Sequence, residues 1–470
     1  MPHIRVLRHY IHTPFLIASA LEFTLIFAAV FTGHASRHGE WPIWSEYWPT
    51  ATLFALVQII AMAAMGVYES RLREGYPGMM LRTAVSIFLL GTMGFAMLAF
   101  FAPSLDMGRG VLLFSATEAF VLVAVSRWIT NHLIDEDTLK SRVLILGTGH
   151  RSIKVATRMR RKSDRRAFVL VGFLRQQGME DLVSEHGANV LTTELSLQKF
   201  CVTQKIDEIV IAVDERRRDG NAPGLPIDEL LDCRTDGIEI CEVQAFVERE
   251  AGKVDVDLLH PSWMIFSDGF VANQVRLFIK SAFDKIAALA LLLLAWPIML
   301  IAAFSIGIGS FFKAPILYRQ ERIGLDGKRF WVMKFRSMTV DAEEGGAIWA
   351  SANDPRVTTV GAFIRKTRID ELPQLFNVLV GDMSFVGPRP ERPMFVDKIR
   401  ETVPFYDQRH KVKPGITGWA QLCYPYGASI DDAKEKLQYD LYYLKNHSLL
   451  LDFIILIQTV EVVLVGEGAR

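Results

Sequence analysis

Apolar and polar residues are segregated into blocks along the chain, and the period inside the blocks changes from region to region. Four nearly unbroken apolar runs come first, at Phe15–Gly33, Ala51–Tyr68, Leu81–Phe101 and Val111–Trp128. Each approaches the ~20 residues an α-helix needs to cross ~30 Å of hydrocarbon. They predict a membrane protein with an N-terminal four-helix transmembrane bundle over residues 1–130. From about Lys140 the pattern becomes short β-rich runs, RVLILG (142–147), FVLVGFL (168–174), IDEIVIAV (206–213) and GIEICEV (237–243), alternating with helical stretches. That alternation predicts a parallel, doubly wound, Rossmann-like α/β domain over 138–272. A fifth apolar run, Ala287–Gly309, opens a third region, 273–470, which predicts an α/β domain carrying a membrane helix.

The short connections orient the spans. Arg5 and Arg8 precede the first run, Arg37 alone follows it, Arg71, Arg73 and Arg82 follow the second, and Arg109 alone follows the third. The larger counts alternate, which places the N-terminus and everything after Trp128 on the cytoplasmic side. Trp41, Trp44, Tyr47 and Trp48 then fall at headgroup level in the first outer connection. Glu22 and Glu118 are the acidic residues inside the runs, and pairing within the bundle is the expectation for them. In the fifth run, Pro297 beside Trp296 removes a hydrogen-bond donor and clashes with the preceding turn, so a kink is expected. Lys280 and Lys285 precede that run, and Lys313, Arg319 and Arg322 follow it, so both of its ends favour the cytoplasm. A re-entrant helix that bends at Trp296-Pro297 and leaves on the side it entered satisfies both facts. SLLLDFIILIQTVEVVLVG (448–466) is interrupted by Asp452, Gln458 and Glu461 and predicts an interfacial or domain-packed helix.

Composition narrows the chemistry. Lys plus Arg and Asp plus Glu both number 52, so no basic excess argues for nucleic-acid binding. Cys201, Cys233, Cys241 and Cys423 lie far apart, with no zinc-type spacing, which excludes a disulfide scaffold and points to a reducing compartment. In the middle region Gly147-Thr148-Gly149 follows the first strand like the opening of a dinucleotide fingerprint. Ser152 stands where the third glycine belongs, and Arg175 where an acidic residue belongs, so a structural or regulatory sheet is expected there. None of the 11 tyrosines has Lys four residues on, which removes the base of a membrane-anchored nucleotide-sugar dehydratase or epimerase. Asp255-Val256-Asp257 forms a DxD that either holds a divalent cation or belongs to a charged linker.

The densest chemistry lies in the third region. YRQERIGLDGKRFWVMKFRSM (318–338) interleaves cations with aromatics, which suits phosphates or an anionic lipid surface. In IRKTRIDELPQLFNVLVGDMSFVGPRP (364–390), Pro373 marks the first turn of a short amphipathic helix, with Asp370 and Glu371 at or just before its N-terminus. Orphan amides and the helix dipole favour both a carboxylate and an anionic phosphate there. Arg365 and Arg368 lie upstream, and Arg389 is held between two prolines, so fixed cations gather for one phosphate group. Taken alone, an Asp-Glu pair is also a common helix cap.

From Lys280 to the C-terminus the chain closely resembles the bacterial sugar transferases that move a hexose-1-phosphate onto polyprenyl phosphate. The resemblance rests on Lys334-Phe335-Arg336-Ser337-Met338, Asp354-Pro355-Arg356, RIDELPQLFNVL, GDMSFVGPRP and KPGITGWAQ (413–421). Four spans, a degenerate Rossmann-like domain and this transferase domain together resemble the large members that initiate exopolysaccharide assembly, including exosortase-linked ones. The resemblance implies a multi-pass enzyme of the bacterial inner membrane with its active site on the cytoplasmic face. It implies a UDP-sugar donor, a polyprenyl (undecaprenyl) phosphate acceptor presented among membrane lipid, and release of UMP. It also implies that Asp370 is the nucleophile and that Glu371 supports the metal. Mg²⁺, which shares oxygen ligands with substrate phosphates, is the cofactor expected beside Glu371. The candidate phosphate-binding residues are Lys334, Arg336, Arg356, Arg365, Arg368 and Arg389, with Arg336, Arg368 and Arg389 foremost. Asp382 either orients an arginine or meets substrate. Four spans and a half-empty sheet are compatible with a homodimer. Two other readings stay open at this point: a metal-dependent glycosyltransferase using Asp255 and Asp257, and a non-catalytic membrane scaffold.

Overall fold

The computed structural model describes residues 3–6, 9–68, 75–133, 140–159, 168–176, 180–214, 224–259, 261–267, 269–270, 274–340, 342, 354–424, 427 and 429–465. Arg8, Arg71 and Arg73 of the charge count lie outside them. Contacts divide the chain into two compact units, Met1–Val6 with Tyr10–Gly252, and Leu7–His9 with Lys253–Arg470.

Two short strands, β1 (His3–Val6) and β2 (His9–His12), begin the described chain. The apolar runs then fold as α1 (Thr13–His38), α2 (Trp44–Ala64), α3 (Gly75–Val85), α4 (Thr92–Phe101) and α5 (Arg109–Leu133). A π-helical turn, Ser86–Gly91, joins α3 to α4 into one long element. With the later helix Gln274–Gly309, five helices among the described residues are long and apolar enough to cross a membrane. Ile26, Phe54, Ile87, Phe95 and Val123 from four of these meet in one apolar core. Inside it, Arg127 donates to both carboxylate oxygens of Glu22, at 2.5 and 2.8 Å, and Tyr68 adds a hydroxyl donor. Glu22 is therefore paired as expected, whereas Glu118 accepts from the hydroxyl of Ser36 at 2.8 Å.

The middle region runs β3 (Ser141–Leu146), α6 (His150–Arg158), β4 (Phe168–Leu174), β5 (Val190–Leu191), α7 (Leu197–Thr203), β6 (Glu208–Ile211), α8 (Ile227–Thr235), β7 (Glu239–Glu242) and α9 (Val243–Ala251). The strands form one parallel sheet in the order β5-β4-β3-β6-β7. The four strands read from the sequence are present, and β5 escaped notice because two residues carry no alternation.

The fingerprint turn of this sheet is closed from within. Asp214, just beyond β6, lays its carboxylate on the N-terminus of α6 and accepts from the backbone N–H of His150 at 2.7 Å and of Arg151 at 2.9 Å. These amides are the ones a dinucleotide pyrophosphate would need. A Cβ on Gly149 would collide with the same carboxylate, and Ser152 Oγ ties itself to the Gly147 carbonyl at 2.8 Å. The sheet keeps its architecture while its phosphate seat is filled by its own side chain.

In the second unit, Asp255 and Asp257 are both engaged. Asp255 caps the turn Val256–Leu258 by accepting from the Asp257 amide at 2.9 Å, and Asp257 accepts from Lys434 Nζ at 2.5 Å. The unit continues as α10 (Pro261–Phe266), α11 (Gln274–Gly309), β8 (Leu317–Ile323), β9 (Arg329–Phe335), α12 (Thr359–Lys366) and α13 (Gln374–Val380). It ends with β10 (Ser384–Val386), α14 (Pro393–Thr402), β11 (Gly415–Thr417), α15 (Trp419–Cys423), α16 (Ile430–Asn446) and α17 (Leu449–Val465). The strands pair two by two, β8 with β9 antiparallel and β10 with β11 parallel. Helices supply most of the core, through Leu375, Val396, Leu437, Leu441 and Tyr442 among others.

Helix α11 is assigned without a break through Trp296 and Pro297. Its buried residues Asp284, Ala288, Ala302 and Ile306 share one stripe by helical spacing. Ala288 packs into the core that holds Leu375 and Phe385, while Ala302 and Ile306 pack with Phe335 and Ile364. Both ends of the stripe thus rest on the same unit. On the opposite side Phe283, Leu289, Leu293, Trp296, Ile301 and Phe304 are exposed. Helix α17 is tied in by Asp452, which accepts from Tyr443 at 2.6 Å and from Lys280 of α11 at 2.7 Å.

Candidate active site

The site begins where α12 stops. Arg368 takes a left-handed backbone, φ +58°, a conformation that costs a non-glycine residue about 1 kcal/mol and so calls for a compensating use. The reversal starts a tight 3₁₀ turn, Ile369–Glu371, that carries Asp370 and Glu371. Pro373 stands at the N-cap of α13, one position before the first turn expected of it, and Gly381 at φ +101° ends that helix. The stretch between the two left-handed residues is therefore a short, rigid insert bearing both carboxylates.

The two carboxylates have different surroundings. Glu371 Oε1 accepts from Lys334 Nζ at 3.0 Å and from an Arg389 guanidinium N–H at 3.2 Å, with Arg368 at 3.9 Å. No hydrogen bond reaches Oε2 among the described residues. Burial alone would raise the carboxyl, but Lys334 first, and Arg389 and Arg368 after it, hold it well below the usual carboxylate range. Asp370 is 8% exposed, and among the described residues nothing donates a hydrogen bond to it. Burial, and then the charge of Glu371, push its carboxyl up to about 6, with Lys334, Arg368 and Arg365 pulling the other way. The result is one carboxylate neutralised by three cations beside another kept desolvated and unengaged. The second has no hydrogen bond among the described residues to give up.

The other candidates sort by position. Lys334 comes from β9 and Arg389 from the loop after β10, so three separate segments converge on Glu371. Arg365 acts on Asp370 through its charge from the last turn of α12. Arg336 follows β9; its backbone N–H bonds the Ile316 carbonyl, and its Nη1 is buried without a hydrogen-bond partner among the described residues. Arg356 is held within its own motif. Its guanidinium forks onto Asp354, with Nε at 2.8 Å, and also donates to the Ala342 carbonyl, so it closes its own turn. Asp382 is exposed, and its charge acts on Lys413. Trp296 and Pro297 lie in the exposed apolar stretch of α11.

Arg389 owes its place to two motifs far apart in sequence. β10 leads into Gly387-Pro388-Arg389, and β11, from the KPGITGWAQ stretch, pairs with it, Ser384 to Gly415 and Val386 to Thr417. A Cβ on Gly387, Gly415 or Gly418 would collide with the facing backbone, so the close approach requires glycine at all three. Arg409, which the motifs gave no reason to select, donates to the Arg389 carbonyl at 3.0 Å while paired with buried Asp440 at 2.8 Å and Tyr406. Asp440 lies 31 residues beyond Arg409, and no local pattern links them. Asn377 was also passed over, although a polar residue amid the apolar face of FNVLV is a visible irregularity.

Residues 275–466 match the family model described as bacterial sugar transferase. A UDP-glucose:undecaprenyl-phosphate glucose-1-phosphate transferase of Xanthomonas campestris pv. campestris is 29% identical over 478 aligned positions, 97% of this chain and 94% of that protein. A UDP-N-acetylgalactosamine-undecaprenyl-phosphate N-acetylgalactosaminephosphotransferase of Aeromonas hydrophila is 42% identical over 241 residues, 51% of this chain; the match spans 56% of that protein. An uncharacterized sugar transferase of Bacillus subtilis is 42% identical over 198 residues, 41% of this chain and 90% of that protein. The region matched by the family model contains every side chain of the site described above.

Proposed function

Since the chain belongs to the bacterial sugar transferase family and is a phosphotransferase, we propose that it moves a sugar-1-phosphate from a UDP-sugar to undecaprenyl phosphate. UMP is the other product, and the lipid-linked sugar is the starting point for exopolysaccharide assembly. The observation that carries the reading is Asp370, a buried carboxylate without a donor, next to a neighbour that three cations neutralise.

An Asp370 oxygen attacks the β-phosphorus of the donor, forming an acyl phosphate while the bond to the bridging oxygen breaks and UMP departs with the electron pair. A phosphate oxygen of undecaprenyl phosphate then attacks the same phosphorus and expels the Asp370 carboxylate. Two displacements spare the site from holding two bulky substrates at once. Lys334, Arg389 and Arg368, already gathered on Glu371, face the region where phosphoryl charge grows, and Arg336 offers a further open donor.

Mg²⁺ fits this site in one way. Among the described residues no three acidic, histidine or cysteine side chains converge as a metal cage, so Glu371 would hold the ion and the diphosphate would supply further oxygens. Glu371 Oε2 is the open oxygen for it. When bound, the ion neutralises diphosphate charge and favours departure of UMP.

On this reading the enzyme belongs to the bacterial inner membrane, with this site on the cytoplasmic face. Support comes from α11: a straight 36-residue helix measures ~54 Å, well beyond one bilayer core, yet its stripe from Asp284 to Ile306 contacts a single unit. A re-entrant path bending near Pro297 reconciles that contact with the cations at both ends of the apolar stretch.

The test is to incubate the full-length protein with Mg²⁺ and UDP-sugar labelled in the sugar, without lipid. The expected results are a labelled protein adduct, its discharge on adding undecaprenyl phosphate, UMP as the nucleotide product, and no adduct in Asp370→Asn. Release of UDP, or full activity in Asp370→Asn, would defeat the reading.

A further inference from the structure

Among the described residues strand β9 has one partner strand. β8 covers one of its edges, in a register that sets Glu321 opposite Trp331 and Arg319 opposite Met333. On the other edge, the backbone groups of Trp331 and Met333 are met by a single side chain instead of a strand. Asn377 Nδ2 donates to the Trp331 carbonyl at 2.7 Å, and Asn377 Oδ1 accepts from the Met333 N–H at 3.0 Å. The carboxamide reproduces, in one residue, the donor and acceptor pair by which a neighbouring strand would bond residues two apart. Asn377 is 3% exposed, so losing either bond would strand a buried polar group. The amide has one workable orientation, since flipping it would set oxygen against oxygen and N–H against N–H.

Met333, one of the two residues it grips, adjoins Lys334, and the helix that bears Asn377 follows directly on the turn of Asp370 and Glu371. A closed circuit results: Met333 is bonded to Asn377, α13 leads back to Glu371, and Glu371 is bonded to Lys334 at 3.0 Å. Lys334 has several rotatable bonds, and its reach is useful only if its backbone stands at a fixed distance from the carboxylates.

We propose that Asn377 is a positioning residue for sugar-phosphate transfer, its carboxamide fixing the β9 segment so that Lys334 meets the Asp370–Glu371 pair. The inference rests on the phosphotransfer reading above and adds a residue that touches no substrate. Aspartate cannot replace it fully, because a carboxylate accepts from Met333 but offers no proton to Trp331. Alanine loses both bonds.

The test is a double-mutant cycle on the full-length protein, reading the single-turnover rate of adduct formation with labelled UDP-sugar. A residue that acts through Lys334 has little left to lose once Lys334 is gone. Asn377→Ala is expected to slow adduct formation about tenfold with donor KM changed by less than about threefold, since a misplaced group costs turnover before binding. In a Lys334→Ala background the same change is expected to cost less than about twofold. Asn377→Asp should fall between wild type and Asn377→Ala and shows the same collapse of its effect in that background, and it serves if Asn377→Ala does not fold. Equal losses in both backgrounds, an unchanged rate, or failure of both variants to fold would overturn the proposal, the last by showing that the residue holds the fold as a whole. Absence of adduct in the wild type would instead refute the transfer reading itself.

Discussion

Lys334 Nζ lies 3.0 Å from Glu371 Oε1, and the same ammonium lowers the neighbouring Asp370 carboxyl without bonding to it. One cation thus serves two carboxylates in different ways. The proposed attack requires Asp370 ionised, and its carboxyl is pushed up to about 6, so UMP release is expected to rise with pH through that region. Lys334→Met removes the first charge that opposes the rise, so the acid limb of the pH–rate curve should move to higher pH. The plateau should also drop, by about a hundredfold, as for other losses of a phosphate-facing donor. An unmoved acid limb would separate Lys334 from Asp370.

Asp370 also has a stability signature. Its folded value, about 6, lies above the ~3.9 of an unfolded aspartate, so its contribution to stability is fully present below about pH 4 and is lost as pH rises through 6. Asp370→Asn removes that loss. The inactive variant should therefore melt higher than wild type at pH 8, by an amount equivalent to about 2–3 kcal/mol, and alike at pH 4. Thermal melting of the detergent-solubilised protein at the two pH values reads this directly.

Asp214 fills the seat on α6 that a cofactor phosphate would take, with two backbone donors on its carboxylate. Asp214→Ala strips the helix of its cap and is expected to cost about 1 kcal/mol of stability, while UMP release stays within about twofold of wild type. Calorimetry with NAD⁺ should show no heat of binding to the wild-type protein. A measurable affinity would reopen the middle region as a cofactor site.

The Glu22–Arg127 pair is buried in an apolar core, so removing one partner leaves the other uncompensated. Glu22→Gln is expected to destabilise by about 3 kcal/mol or more, and Glu22→Met with Arg127→Met together by less than either change alone. Melting curves of the three variants decide it. If the double variant were the least stable, the pair would be contributing more than mutual neutralisation.

Legibility followed the range of the signal. The apolar runs and the four longer strands of the sheet could be read because their periods are local, and the Asp370–Glu371 turn because Pro373 and the cations sit within a few residues of it. Arg356 was a candidate through the Asp354-Pro355-Arg356 motif, and the partner that holds its guanidinium, Asp354, stands in the same motif. What stayed hidden depends on residues brought together late. Asp214 reaches His150 across 64 residues, and Arg409 finds Asp440 across 31. Asn377 could have been questioned as a polar intruder on an apolar helix face, but its partners are main-chain atoms of β9, which no side-chain pattern records.

The one-sided attachment of α11 has a last consequence. A helix riveted along one edge to the enzyme, with its remaining girth wetted by acyl chains, behaves as a keel. On the proposed topology it removes vertical travel and tilt, so the carboxylates ride at a constant height over the leaflet. The second substrate then finds them by lateral diffusion in two dimensions, a search whose rate depends on how densely the isoprenoid is packed in the lipid plane and little on its total amount in the cell.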